Sequence, residues 1–359
     1  MSISLGFGLI TCQRYPGDER TDLQIYAQAL DLAEQAERLG LDSVWVSEHH
    51  FVDDGYLPSP LPLCAAIAAR TQRVRIGTGV VLAPLHDPLR LAEDAAVTDL
   101  ISAGRLILGI GLGWREEEFE GLGVPLSERV PRMVASMDTM RRAWRGELAP
   151  AWPPGPRQDH GGHGARPAVP VRPLPAQPGG PPLWIGATSE PAVRRAGRIG
   201  DGFMATEVSP PMLAEQVATA RQEFEAAGRT GDFAISVHLP VFAWDGRGAW
   251  ELIKDSRRYV DWKYEDMESA RGQTGEPRLP PPMTDAEAET LRESIIVGTP
   301  AQVASAIDEY RRAAGGDLSF IAGLYFPGLD WDIQRRSLEV FAAEVAPLVR
   351  ELAADGSGG

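Results

Sequence analysis

The stretch VRIGTGVVLAPLHDPLRLAEDAAVTDLISAGRLILGIGLG (74–113) decides the fold. Its two ends, 74–82 and 105–113, are short apolar runs, and the first is rich in β-branched residues. Residues 88–102 between them begin with a proline and are followed by Gly104, which is typical of a helix with a defined start and end. Because both runs are apolar on each face, they read as buried parallel strands. The stretch therefore predicts a strand–helix–strand unit.

The same unit recurs along the whole chain. We predict eight strands, at 4–10, 42–49, 74–82, 105–113, 182–187, 201–206, 234–242 and 318–326. Their alternation with helices favours an α/β fold of the (β/α)8 TIM-barrel type over a doubly wound open sheet. We expect one barrel domain over residues 1–352. A loop rich in proline and glycine (146–181) and an insertion (243–283) lie within it, and a disordered tail follows at 353–359.

Composition and charge exclude several classes of protein. The chain has 359 residues and a formal net charge of −15, without a cluster of Lys and Arg, so we expect no nucleic-acid partner. No apolar run reaches the roughly 18 residues that a membrane span needs, and the N-terminus lacks the features of a secretory signal. Cys12 and Cys64 are too few for a disulfide framework or a structural zinc site. We predict a cytoplasmic location without membrane association.

Active residues of such barrels gather at the carboxyl ends of the strands. There the second strand ends in SEHHF (47–51), which carries Glu48, His49 and His50. These three residues could be a buried polar cap without function. Their position at the end of a barrel strand makes a functional role equally plausible. Adjacent histidines on a strand point to opposite faces, so we expect no metal site. DHGGHG (159–164) reads as a flexible loop and not as a metal ligand set.

Glycines and hydroxyl residues at other strand ends suggest a ligand. GTG (77–79), with Thr78 and Gly79, and GIGLG (109–113), with Gly111, lack the features of a phosphate loop but would let a flat ring approach the backbone.

A strand end followed by a helix start suggests where an anion would bind. In GATSEP (186–191), Ala187, Thr188 and Ser189 could bind an anion or merely cap the helix, and Arg129 could be its cationic partner or a surface arginine. Ring, anion and histidine together describe a pocket for flavin mononucleotide (FMN).

Four segments of the chain resemble the bacterial luciferase-like flavin-dependent monooxygenases. They are LGLDSVWVSEHHF (39–51), RVRIGTGVVLAPLHDPLRLAEDAAVTDLISAGRLILGIGLGWREEEFEGLGV (73–124), PPLWIGATSEPAVRRAGRIGDGF (181–203) and IIVGTPAQVASAIDEY (295–310). The segments follow the order of the family and span almost the whole chain. The resemblance implies a (β/α)8 barrel that uses a reduced flavin.

The resemblance also implies roles for individual residues. His49 matches the catalytic histidine of the family, and Gly79–Val80 matches a non-prolyl cis peptide beside the flavin. Arg129, with Ala187, Thr188 and Ser189, matches contacts to the flavin phosphate.

Two positions depart from the pattern of the family. Gly111 and Leu112 stand where the light-emitting subunit has a cysteine and an arginine, so bioluminescence is not implied. A glutamate common in the helix after Arg129 is replaced in the region of Ala135 and Ser136.

The implied reaction is a monooxygenation. Reduced FMN (FMNH2) comes from a separate flavin reductase and reacts with O2 to give a flavin 4a-hydroperoxide, which oxidises a small organic substrate. His49 would hold or donate a proton. Trp114, Tyr325 and Phe326 are candidates for the substrate wall or for plain core packing. Residues 243–283 occupy the place of a mobile lid, and the family commonly forms homodimers.

Three other functions compete with this interpretation. Some members of the family use a deazaflavin for hydride transfer without oxygen. The net charge of −15 disfavours this alternative, because a deazaflavin carries a polyanionic tail. Other members bind flavin without turnover. An aldolase or hydrolase barrel would need a lysine or metal cluster at the strand ends, and Lys254 and Lys263 fall on no predicted strand.

Overall fold

The computed structural model describes residues 2–149, 168–269 and 276–355. Its centre is a closed barrel of eight parallel strands. These are β1 (Ile3–Ile10), β2 (Ser43–Val46), β3 (Arg75–Thr78), β4 (Leu106–Gly111), β5 (Leu183–Gly186), β6 (Gly202–Thr206), β7 (Ala234–Ala243) and β8 (Leu318–Gly323). Each strand pairs with the next along the chain, and β8 pairs with β1. The predicted single-domain (β/α)8 barrel is confirmed.

Helices surround the barrel. They are α1 (Asp22–Arg38), α2 (Pro60–Arg70), α3 (Pro88–Ile101), α4 (Glu116–Gly121), α5 (Arg129–Trp144), α6 (Glu190–Ile199), α7 (Pro210–Ala226), α8 (Ala249–Ser269), α9 (Asp285–Glu293), α10 (Pro300–Ala314), α11 (Trp331–Val340) and α12 (Ala346–Asp355). A π-helical turn, Phe341–Val345, joins the last two. Thr21, Thr284 and Thr299 start α1, α9 and α10 with capping boxes, in which side chain and backbone satisfy each other's hydrogen bonds.

Besides a third cluster that includes Ile253 of α8, the barrel has two hydrophobic clusters. One lies between the strands and the surrounding helices, and the other fills the barrel interior with Trp45, Ile107, Trp184, Met204 and Ile321. β2 and β4 are buried at every position, which explains why their sequences are apolar without alternation.

The loop predicted at 146–181 contains short paired segments. Leu148–Ala149 pairs antiparallel with Val169–Pro170. Residues 150–167, which include the predicted flexible stretch 159–164, lie outside the described residues.

The tail predicted from residue 353 begins too early. α12 continues to Asp355 because Ala353 is buried against the rest of the fold. Residues 356–359 lie outside the described residues.

The insertion at 243–283 contributes one long helix. α8 is fixed to the segment after β2 by Lys263, whose Nζ contacts Asp53. The same Nζ lies 2.9 Å from Oδ2 of Asp266, one turn further along α8. Tyr259 donates its hydroxyl proton to Asp54 Oδ2 at 3.0 Å. α8 is thereby held beside the carboxyl end of β2.

No helix within the described part of the chain is both long and apolar enough to cross a membrane. The cytoplasmic location and the homodimer stay predictions.

Candidate functional site

A cavity of about 540 Å³ opens at the carboxyl ends of the barrel strands. Its size is within the usual range for a cofactor or drug-sized ligand, roughly 300–1,000 Å³. The predicted site residues that line it are His49, Gly79, Gly111, Trp114, Arg129, Ala187, Thr188 and Ser189. Residues from several distant parts of the sequence therefore meet at one place, as the barrel topology leads one to expect.

Three predicted residues lie elsewhere. Thr78 does not line the cavity, because its side chain is buried and its hydroxyl donates to the carbonyl of Gly109 at 2.8 Å. Tyr325 and Phe326 line a smaller chamber of about 70 Å³ next to the cavity. The Phe326 ring also packs edge-on against Phe242, with 5.6 Å between centroids.

His49 is paired with a buried carboxylate. Its Nδ1 atom lies 2.8 Å from Glu118 Oε1, which also accepts a hydrogen bond from the backbone N–H of His50 at 2.8 Å. The Glu118 side chain is fully buried, and its Oε2 atom has no hydrogen-bond partner among the described residues. A carboxylate on Nδ1 fixes the tautomer of the imidazole and leaves Nε2 for chemistry.

Sequence reasoning missed Glu118. It belongs to the run REEEFEG (115–121), whose acidic residues follow β4 at the correct end of the barrel. The run was a signal, but nothing in its spacing shows which glutamate turns inward.

Aromatic rings surround His49. The centroids of Tyr56, Tyr264 and Trp114 lie 4.8, 5.5 and 5.9 Å from the His49 ring. The hydroxyl oxygens of Tyr56 and Tyr264 are 3.3 Å apart, and burial raises the pKa of Tyr264 to about 12, so it is protonated at neutral pH. Tyr264 comes from α8, so the insertion supplies part of the wall.

Glu48 contacts the rings of both His50 and His86. Both histidines donate from Nε2 to Glu48 Oε1 at 2.7 Å, and the backbone N–H of Leu82 donates to Oε2 at 2.8 Å. Burial raises the pKa of Glu48, but the hydrogen bonds from His50 and His86 outweigh it and bring that pKa to about 2. Among the described residues this is the one group with a donor set for a metal ion. Its 2.7 Å contacts are those of hydrogen-bond partners.

The glycines near the cavity serve the protein's own packing. A Cβ atom at Gly77 would come 2.2 Å from the Trp45 ring, and one at Gly109 would come 1.9 Å from the Thr78 carbonyl oxygen. The prediction that a flat ligand approaches these two glycines is therefore wrong, since protein atoms fill the space. Gly79 and Gly111 do line the cavity. The Gly79–Val80 peptide is cis, as the resemblance implied, and so is Gly8–Leu9, which was not predicted.

Positive charge collects near the start of α6. Ser189 occupies the N-cap position, but its side chain makes no capping hydrogen bond, so the capping alternative does not hold for it. Burial and the nearby positive charge of Arg129 lower the pKa of Arg195, which lies on α6. The Arg195 Nε atom has no hydrogen-bond partner among the described residues. Arg129 lines the cavity beside the start of α6, and a positive charge next to a helix N-terminus is the kind of environment that favours an anion.

Four further ionisable side chains line the cavity. Glu207 directly follows β6 and His238 lies in the middle of β7, whereas Arg257 and Asp261 come from α8. Arg257 Nη2 lies 2.9 Å from Glu207 Oε2 and 3.7 Å from Asp261 Oδ1. Burial lowers the pKa of His238 to about 4.

Comparison with known proteins identifies relatives over most of the chain. Residues 6–317 match the profile of the luciferase-like monooxygenase family. The oxygenase component of a flavin-dependent trigonelline monooxygenase from Acinetobacter baylyi is 31% identical over 183 residues, which are 50% of this chain and 48% of the relative. An F420-dependent glucose-6-phosphate dehydrogenase from Kineococcus radiotolerans is 30% identical over 89% of this chain and 92% of the relative. The solved structure of monooxygenase RslO1 from Streptomyces bottropensis has a TM-score of 0.77 at 25% identity, covering 97% of this chain and 99% of that one.

Proposed function

The chain belongs to the luciferase-like monooxygenase family, whose members include oxidoreductases that use a flavin or the deazaflavin F420, and on that premise we propose that it is an FMN-dependent monooxygenase. It would oxidise a small organic substrate with O2 and with FMNH2 supplied by a separate flavin reductase. The oxygenase-component relative supports the separate reductase.

One observation carries the proposal. The same cavity is lined at one side by Arg129, Thr188 and Ser189, which would suit an anion, and at another by His49, which pairs with the buried Glu118. FMN has a single phosphate at one end and a planar ring at the other, so its two ends match two different chemistries of the cavity. Bound reduced flavin supplies the electrons that activate O2.

The protein's own residues would perform three tasks. Arg129, Arg195 and the start of α6 would hold the phosphate. Glu118 would keep the proton of His49 on Nδ1, so that Nε2 can accept or return a proton during the reaction. The rings of Tyr56, Tyr264 and Trp114 would exclude water from that side.

A second candidate is deazaflavin-dependent hydride transfer, which the F420-dependent relative favours. The charges of the cavity favour FMN. Its lining carries two arginines, Arg129 and Arg257, against three carboxylates, Glu48, Glu207 and Asp261. A lining with this balance suits one phosphate better than a polyanionic tail.

Anaerobic titration separates the candidates. The protein is titrated with FMNH2 and, in parallel, with reduced F420, and binding is followed by flavin absorbance and fluorescence. We expect FMNH2 to bind at least ten times more tightly than F420. Preferential binding of F420 would replace the proposal with the hydride-transfer alternative. Binding of FMNH2 without any reaction of the complex with O2 would indicate a flavin-binding protein without turnover.

A further inference from the structure

The small chamber beside the cavity is built as a polar pocket with aromatic walls. The two spaces adjoin, because six residues line both of them: Leu9, Glu207, His238, Arg257, Val260 and Tyr264. The remaining walls of the chamber include the rings of Tyr56, Tyr325 and Phe326. Tyr56 also packs against His49, with 4.8 Å between ring centroids, which places the chamber next to the proposed catalytic histidine.

Four residues of this chamber have polar atoms without partners. Thr11 Oγ1, Gln13 Oε1, His238 Nδ1 and Arg257 Nε are shielded from solvent and have no hydrogen-bond partner among the described residues. Buried polar atoms are almost always hydrogen-bonded in folded proteins, because leaving them unpaired is unfavourable. Four such atoms around one small space indicate that a polar ligand completes the pocket.

The partners that these atoms need define the ligand. Arg257 Nε can only donate a hydrogen bond. Gln13 Oε1 can only accept one. The amide nitrogen of Gln13 donates to Asp54 Oδ2 at 2.8 Å, which fixes this orientation of the amide. The neutral His238 ring and the Thr11 hydroxyl can do either. A hydroxyl group both donates and accepts, so it satisfies this mixed set better than a group with one role.

The charges exclude an anionic ligand end. The guanidinium of Arg257 is already balanced by Glu207 at 2.9 Å and by Asp261 at 3.7 Å. A carboxylate entering the chamber would meet the negative charge of Glu207, while the arginine in the chamber lining, Arg257, is already paired. The ring walls favour an aromatic group.

We propose that the chamber binds the hydroxylated end of an uncharged aromatic substrate, which makes phenols the substrate class of this enzyme. This inference rests on the proposed monooxygenase function and narrows it. With about 70 Å³, the chamber holds the oxygen-bearing edge of a ring, while the rest of the substrate extends into the main cavity past His49. Thr11 and Gln13 would then act as specificity residues.

Ligand-observed NMR or calorimetry tests this with three probes of similar size. Resorcinol offers two hydroxyls, m-xylene has methyl groups in the same places, and 3-hydroxybenzoate adds a negative charge. We expect resorcinol to bind the full-length protein and 3-hydroxybenzoate to bind at least tenfold more weakly. Gln13→Leu and Thr11→Val should weaken resorcinol binding at least fivefold while leaving m-xylene binding equal or stronger. Thr219→Val, on the exposed side of α7, is the matched control and should change neither.

Two results would overturn the assignment. One is a failure of resorcinol to bind, and the other is equal loss of resorcinol and m-xylene binding in the variants, which would indicate a general packing defect or a chamber filled by water. A parallel FMNH2 titration of the wild type separates a failure of the chamber proposal from a failure of the proposed function. If FMNH2 does not bind, the flavin proposal is contradicted, whereas the binding preferences among the three probes report on the chamber alone.

Discussion

His49 Nδ1 lies 2.8 Å from Glu118 Oε1, across 69 residues of sequence. The contact joins the end of β2 to the short helix α4, and Glu118 has no exposed surface. A buried carboxylate that holds a histidine in one tautomer is a common way to prepare that histidine for proton transfer.

The first prediction concerns this pair. Glu118→Gln keeps an oxygen that can accept from His49 but removes the negative charge, so the imidazolium form of His49 loses stabilisation. We expect the pH profile for oxidation of bound FMNH2 by O2 to shift to lower pH, with a rate loss of about 10- to 100-fold at neutral pH. FMN affinity should stay within about twofold. An unchanged pH profile would show that Glu118 has only a structural role.

The second prediction concerns the anion site. Arg195→Leu and Arg129→Leu should each weaken FMN binding by about 10- to 100-fold, the size of one charge-assisted hydrogen bond. Riboflavin, which lacks the phosphate, should bind each variant and the wild type equally. Arg198→Leu is the control, because Arg198 lies on the same helix but pairs with Glu223 at the surface. Parallel loss of riboflavin and FMN binding would refute the phosphate assignment.

The third prediction concerns pH and stability. The pKa of Glu48 lies at about 2 in the folded protein, against 4.5 as the ordinary value: burial raises it, but the hydrogen bonds from His50 and His86 lower it more. Because the folded-state pKa is the lower one, the resulting stability is present above pH 4.5 and is lost as the pH falls toward 2.

Glu48→Gln should therefore lower the free energy of unfolding by on the order of 3 kcal/mol at pH 6, at roughly 1.4 kcal/mol per pKa unit. The difference from wild type should shrink at pH 3. Urea unfolding at both pH values measures it, and a difference that does not vary with pH would contradict the account.

The fourth prediction concerns the packing of Gly111. A Cβ atom there would lie 2.3 Å from Val80 Cγ2, so Gly111→Ala should destabilise the protein by about 1–3 kcal/mol. Val80→Ala removes the obstructing methyl groups. The double variant should recover most of the loss caused by Gly111→Ala in a thermal or urea unfolding cycle, and additive losses would show that the two residues do not interact.

The sequence allowed the barrel and the position of the site to be predicted, because strand periodicity is local and barrel topology then brings the strand ends together. Residues next to strand ends, such as His49 and Ser189, were found for that reason. The contact of Glu118 with His49 and the position of Arg195 near Arg129 were missed, because both depend on which side of a helix the residue occupies. The prediction that a flat ligand approaches Gly77 was wrong, because the ring beside Gly77 is that of Trp45. Trp45 lies 32 positions earlier, so this contact forms only in the folded barrel.

The most direct test of the central claim is the reaction of the anaerobic FMNH2 complex with O2 in a stopped-flow spectrophotometer. We predict that the absorbance of oxidised FMN returns in two phases, with a lag, in the wild-type protein, and that His49→Ala shortens or abolishes the lag. If the wild-type complex returns oxidised FMN in a single phase at the rate of free FMNH2, the protein does not control the reaction of flavin with oxygen, and the monooxygenase account is contradicted.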